Sequence, residues 1–379
     1  MLVGPSSSWD PTGAGAGRPP PGPVGRRGDP VATVGAVLPL LDLDRTWPLW
    51  PSVVALVVAA GVVVLTGTRI TRVVDEIADR TGLGEAIAGA VLLGATTSLS
   101  GLITVAVGGL SGDAQFALSN PLGGVLLQTV WLAIADLYYR RVNLEHAAAS
   151  AENIMQALLL VAMLSVPLVG YALPDASFLG LHPATYAIPV LYVAGLLVIR
   201  RQRERPMWEP VQTEETVEDV PQEGTDASGR RLAVSFVVLA GSMAVAGYVV
   251  GRAGLAVVEA TPASGSLVGS TLTTGISSMS ELVTLIAAVR IKALTLGVGD
   301  IIGGNVFDLL QITVADGFYR EGPVYAAAGP SGLLLLAGCV LVTALLASAL
   351  LLRERRGIGF EGFAIPGVWV ATIAGVALL

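Results

Sequence analysis

The sequence matches itself at an offset of 180 residues. TSLSGLIT (97–104) falls on SSMSELVT (277–284) without a gap, and the same offset lays LSNPLGGVLLQTVWLAIADLYYR (118–140) on VGDIIGGNVFDLLQITVADGFYR (298–320). Ser98, Ser100, Leu102, Thr104, Gly123, Gly124, Asp136, Tyr139 and Arg140 all have identical counterparts. Unrelated apolar segments would coincide at Leu, Val and Ala; here serines, a threonine, glycines and an aspartate coincide. A duplication constrains the fold strongly, because the architecture of one copy dictates that of the other.

The solvent of both copies follows from composition. The chain is 53% hydrophobic and 13% charged, against about 25% charge in soluble domains, and its mean hydropathy is +0.71. It reads as an all-α integral membrane protein whose partner is the lipid bilayer rather than nucleic acid. Uncharged runs place ten helical spans at about 48–68, 85–109, 114–138, 147–171, 183–200, 232–251, 264–289, 294–319, 325–352 and 360–379. They group into two five-helix repeats, 48–200 and 231–379, with the matching motifs at 89–140 and 269–320. Five is odd, so the copies cross the membrane in opposite directions, as an inverted-topology repeat.

Basic residues give the orientation, since Arg and Lys accumulate in cytoplasmic loops. If the first span runs from outside to inside, sixteen of the 22 basic residues fall in inner loops; only Arg252 and Arg320 fall in outer ones, and Arg18, Arg26, Arg27 and Arg45 lie in the N-terminal tail. The pattern implies a multi-pass plasma-membrane protein with a cytoplasmic linker at 201–230, basic at its start and acidic from Glu214 to Asp226. Residues 1–47 read as a disordered tail rich in Gly, Pro and Ser at its start, and the run at 31–41 is too short to span. Cys339, the single cysteine, falls inside the ninth span and suits a packing role. His146 and His182 lie near span ends without the spacing of a zinc or copper site.

Inverted repeats place their ion or substrate site near the membrane midplane, where the copies meet and helices are interrupted. Thr97, Ser98 and Ser100 in one copy, and Ser277, Ser278 and Ser280 in the other, offer hydroxyls for such a site. Glu281 stands within an apolar run with no other charge between Glu259 and Arg290, and a buried carboxylate there is by default functional. Ser277 and Ser278 precede Glu281 by four and three residues and share its helix face. Asp300, Gly304 and Asp308 follow at spacings of four, with Asn305 three before Asp308. Asp136 and Asp316 sit near span ends, four residues before Arg140 and Arg320, a spacing that suits interfacial ion pairs. Oxygen ligands without nitrogen or sulfur suit Ca2+, Na+ or Mg2+ rather than a transition metal.

The stretches SSMSEL and GDIIGGNVFDLL resemble the second repeat motif of the sodium/calcium exchanger superfamily of cation antiporters, close to G-T-S-L-P-E-L followed by G-N-x-x-G-S-N-x-x-[ND]; TTSLSGL and SNPLGGVLLQT resemble the first. The resemblance covers essentially residues 48–379. It implies a five-plus-five architecture and exchange of Ca2+, or another hard cation, for Na+ or H+ by alternating access, with inorganic cations as cargo and no resident cofactor. By position, the family's repeat glutamates fall on Gly101 and Glu281, and its Thr-Ser pairs on Thr97 and Ser98 and on Ser277 and Ser278. Its second-motif polar positions fall on Asn120 and Gln128 and on Asp300, Asn305 and Asp308, with Glu281 and Asp308 as the principal metal ligands.

The departures from the pattern matter as much. Gly101 has no carboxylate, Ser100 and Ser280 replace the usual proline, and Asp300 stands where the family has Asn. The acids have gathered in the second repeat, giving an expected maximum site charge of −3 from Glu281, Asp300 and Asp308. Protons compete for carboxylates so placed, so an Na+/H+ exchanger and an inactive structural relative stand as alternatives. A further rival is an intramembrane aspartyl protease, whose G-x-G-D pattern GVGD (297–300) matches; the preceding span, however, holds no partner aspartate.

Overall fold

The computed structural model describes residues 45–81, 94–139, 143–148, 150–204, 208, 210–211, 213–214, 228–291, 294–352, 354 and 359–379. The tail through residue 44 and the acidic part of the linker at 215–227 lie outside the described residues. The first repeat comprises α1 (Leu49–Thr81), α2 (Gly94–Thr97), α3 (Leu99–Leu110), α4 (Ala114–Tyr139), α5 (Leu144–Ala147), α6 (Ala151–Ala172) and α7 (Ala187–Glu204). The second opens with α8 (Gly229–Ala260). Next, α9 (Gly265–Val268) runs through a π-helical turn (Gly269–Thr273) into α10 (Thr274–Ser277), followed by α11 (Met279–Ile291). The chain ends with α12 (Leu294–Asp308), α13 (Leu310–Phe318), α14 (Val324–Leu352) and α15 (Glu361–Leu378).

Among the described residues, eight segments are each long and apolar enough to cross a bilayer, and α9–α10 with α11, bent by 46°, makes a ninth. The second of the ten expected spans corresponds to α2 and α3, its beginning at 85–93 lying outside the described residues. The first span is longer than expected: the helix continues past residue 68 to Thr81. Arginines end an apolar run without ending a helix. Ile70 and Val74 keep a buried stripe going, packed on Phe236, Leu239 and Ala240 of α8.

Packing follows the repeat. α1 lies along α8, its counterpart in the second copy, and α6 lies along α14, likewise its counterpart. α3 packs on α8 while α11 packs on α1, and α4 packs on α14 while α12 packs on α6. Each contact has its partner under exchange of the copies, the signature of a pseudo-two-fold arrangement. The tightest crossings obey the same rule. A Cβ on Gly247 would lie 2.3 Å from the Ser100 carbonyl oxygen, and one on Gly67 would lie 2.4 Å from Ser280 Cβ. Both pairs are related by the 180-residue offset, and only glycine permits either approach.

Burial separates inner helices from outer ones. In α4, 89% of the most apolar stretch is buried, against 28% in α1 and 22% in α8. The outer helices turn Val54, Val57 and Val58, Val190 and Val193, Val237 and Val238, and Phe363 outward. Exposed apolar faces of this extent are stable against lipid and unfavourable against water.

Two aspartates depart from the sequence expectation. Asp316 Oδ2 accepts from the His182 backbone N–H at 2.7 Å while Arg320 donates to the Gly180 carbonyl, so they form no pair with each other. Asp136 Oδ1 accepts from the Leu144 N–H at 2.7 Å, and Arg140 lies outside the described residues. Both carboxylates are 5% exposed. A buried chain reversal offers backbone donors within direct reach, and these outcompete an arginine one turn away that has access to water.

Candidate functional site

Three helix interruptions create the site. Ser98 (φ −77°, ψ 0°) separates α2 from α3, and Ser278 (φ −94°, ψ 9°) separates α10 from α11; the two serines are equivalent under the repeat and both hold ψ near 0°. Leu309 separates α12 from α13. The π-helical turn at Gly269–Thr273 precedes the second break, and such turns recur at functional sites because they free backbone groups and redirect side chains.

Where the breaks converge lies a small cavity of about 10 Å³, roughly the room one water or one bare ion requires. Six residues singled out from the sequence line it: Ser98, Asn120, Ser277, Ser278, Glu281 and Asp308. Gly101, Pro121, Gly124 and Gln311 complete the wall. Glu281 is 2% exposed and Asp308 3%. Ser280 donates its hydroxyl to Glu281 Oε2 at 2.8 Å.

Asp308 is held on both oxygens. Gln128 Nε2 donates to Oδ2 at 3.0 Å and to the Ser278 hydroxyl at 3.0 Å; Gln311 Nε2 donates to Oδ1 at 2.7 Å. Gln128 and Asp308 occupy the same position in their respective repeats, so their bond marks the site as lying where the two copies meet. Both glutamine carbonyl oxygens, Gln128 Oε1 and Gln311 Oε1, are buried without a donor. Asn305 donates to Thr129 Oγ1 at 3.3 Å and likewise leaves its Oδ1 without a donor. Asn120 donates to Thr273 Oγ1 at 2.8 Å.

Asp300 stands apart. It accepts from the Thr284 hydroxyl at 3.2 Å, is only partly buried, and does not line the cavity. Eight helical residues separate it from Asp308, about 12 Å along the axis, so a shared face is not a shared site. The same Thr284 hydroxyl lies 2.9 Å from the Glu281 carbonyl and shares its one proton between the two acceptors, which ties Asp300 to the site indirectly. Thr97 is buried in α2 and is not part of the cavity wall. Among the described residues no three His, Cys, Asp or Glu side chains converge as a metal-holding group. The cavity therefore brings together two carboxylates amid neutral oxygens, not the three expected from the sequence.

Gln311 escaped the sequence reading because its counterpart in the other repeat is Trp131, so the duplication gave no signal. Its position three residues after Asp308, the spacing that neighbouring side chains of a helix would have, was the available clue. The histidines are structural: His146 Nε2 lies 2.9 Å from the Thr213 hydroxyl, and His182 Nδ1 accepts from the Ala184 N–H. Cys339, buried, donates its thiol to the Leu122 carbonyl.

Comparison with known proteins adds the following. Residues 51–198 match the family model described as sodium/calcium exchanger protein. No curated protein sequence matches the chain. Among solved structures, the sodium-calcium exchanger NCX_Mj soaked with 2.5 mM Na+ and 0.1 mM Sr2+ is similar at a TM-score of 0.57 and 14% identity, over 86% of this chain and 99% of that one. The structure of native YfkE is similar at a TM-score of 0.54 and 15% identity, over 92% and 97%. At such identities the likeness establishes the fold and leaves the chemistry to the residues described above.

Proposed function

We propose that the chain is a distant member of the sodium/calcium exchanger superfamily, as its partial match to that family model and its fold support, and that it is a multi-pass plasma-membrane antiporter exchanging Ca2+, or another hard cation, for Na+ or H+ at the Glu281–Asp308 cavity. The observation that supports this most directly is the cavity itself: two carboxylates buried between helix breaks, with room for one ion and with carbonyl oxygens lacking donors around it. Two carboxylates in a dry space must be compensated, and one divalent cation, one monovalent cation with one proton, or two protons can do so. If the protein reorients only when they are compensated, occupancy by one ion species on each face couples the two flows.

Purified protein in proteoliposomes provides the test. Uptake of radiolabelled Ca2+ is expected to require an outward Na+ or proton gradient and to disappear in Glu281→Gln. Uptake of no cation under any gradient would refute the reading.

A further inference from the structure

Gly101 is the counterpart of Glu281, so the first repeat contributes no carboxylate to the cavity. The space it leaves is filled. A Cβ built on Gly101 would lie 3.2 Å from Gln311 Oε1 and 3.3 Å from Gln311 Nε2, so the carboxamide sits where a side chain at 101 would have to pass. Gln311 is 2% exposed and lines the same cavity as Glu281 and Asp308.

Its orientation is dictated by chemistry. A carboxylate only accepts, so Asp308 Oδ1 draws the Gln311 N–H2 end toward itself at 2.7 Å and turns the carbonyl oxygen away. That oxygen, Oε1, is buried with no donor. An acceptor left so, buried and among other acceptors, is unfavourable until a positive partner arrives.

We propose that Gln311 is a cation ligand that stands in for the absent first-repeat acid, its Oε1 supplying from α13 the oxygen that a carboxylate at position 101 would have supplied from α3. The inference rests on the antiport reading of the cavity and deepens it. Replacing a charged ligand with a neutral one keeps the coordination while lowering the charge of the site, and ligand charge is what tunes affinity for divalent over monovalent ions. Gln311 is thus a determinant of ion specificity.

The test is equilibrium binding of Ca2+, with Na+ as competitor, to the purified full-length protein. Gln311→Glu preserves shape and adds charge; Ca2+ affinity is expected to rise about tenfold or more. Gln311→Met removes the oxygen and is expected to lower affinity about tenfold, in the range of lost metal-site contacts. Gly101→Glu alone is expected to bind weakly because its side chain meets Gln311, whereas Gly101→Glu with Gln311→Gly is expected to regain or exceed wild-type affinity.

If Gln311 merely holds Asp308 in place, Gln311→Glu sets acid against acid and lowers affinity as Met does, and the double variant recovers nothing; that pattern overturns the proposal. Unchanged affinity in Gln311→Met also overturns it while leaving antiport intact, whereas wild-type protein that binds neither cation overturns both. Gln311→Glu, being isosteric, decides the matter by itself if the truncated variants do not fold.

Discussion

Asp308 accepts from two carboxamides and Glu281 from a serine hydroxyl, and these different surroundings give each acid its own expected phenotype. Glu281→Gln should abolish cation exchange while the protein still elutes as a folded species, because removing a buried charge relieves the empty cavity even as it removes the ligand. Asp300→Asn should cost less than about tenfold in flux, since the amide still accepts from Thr284 and the cavity keeps both carboxylates. Flux of the two variants under one gradient decides the ranking; a dead Asp300→Asn protein would return Asp300 to the site. At this scale the sequence revealed which residues were chemically unusual but not how far each could reach. Ser278 and Gln128 were legible because the duplication aligned them and Glu281 because it is the lone charge of an apolar run, whereas the place of Asp300 outside the cavity wall was not, because helical periodicity reports direction and not depth. Gln311 was hidden because the chemistry at its position is not duplicated.

The helix breaks at Ser98 and Ser278 and the glycine crossings at Gly67 and Gly247 are properties of whole elements, and they can be perturbed in matched pairs. Gly247→Val would drive a branched side chain into the Ser100 carbonyl and should destabilise by several kcal/mol, beyond the usual ~1–3 kcal/mol of overpacking. Gly61→Ala and Gly241→Ala, themselves related by the offset, meet nothing within 4 Å and should be neutral or stabilise by up to about 1 kcal/mol as ordinary helix substitutions. Thermal unfolding in detergent checks both, and equal effects at all the glycines would contradict the crossings. At the arginine-rich end, α5 packs Glu145 into a buried cluster of acids. Burial, and then the charges of Glu361 and Asp136, push its carboxyl up to about 8; Asn143 donates to Glu361 and the Leu144 N–H to Asp136. An acid whose pKa is raised on folding holds its proton in the folded state where the unfolded chain has lost it, so stability should fall as pH rises from about 4.5 toward 8. Each unit is worth about 1.4 kcal/mol at most. Glu145→Gln should lessen the fall of the unfolding midpoint across that range, and a midpoint that falls as steeply in the variant would sink the assignment.

For the whole molecule, the apolar runs and the 180-residue repeat carried nearly all of the architecture, since bilayer thickness and the odd number of spans leave few arrangements open. What they could not carry was the way elements end: that α1 continues to Thr81, that Asp136 and Asp316 cap chain reversals, that the second span is interrupted and the seventh bends at a serine. Those outcomes depend on which groups meet across distant parts of the chain. Orientation is open to a direct check. A cysteine at Glu214, an exposed linker position, should be protected from impermeant thiol reagents in intact cells and react in inverted vesicles, with buried Cys339 silent in both; labelling from outside would reverse the assignment of faces. The cavity's two acids, finally, have an electrical meaning. A site bearing two negative charges becomes neutral with one doubly charged ion, or with two single charges of which at least one is a proton on a carboxylate, so each half of the cycle carries the same net charge across the bilayer, namely none. An imposed potential, worth about 2.3 kcal/mol per charge per 100 mV where charge does move, should then leave the exchange rate unaltered. Gln311→Glu, by adding a third negative charge, should turn a voltage-blind exchanger into one that draws current.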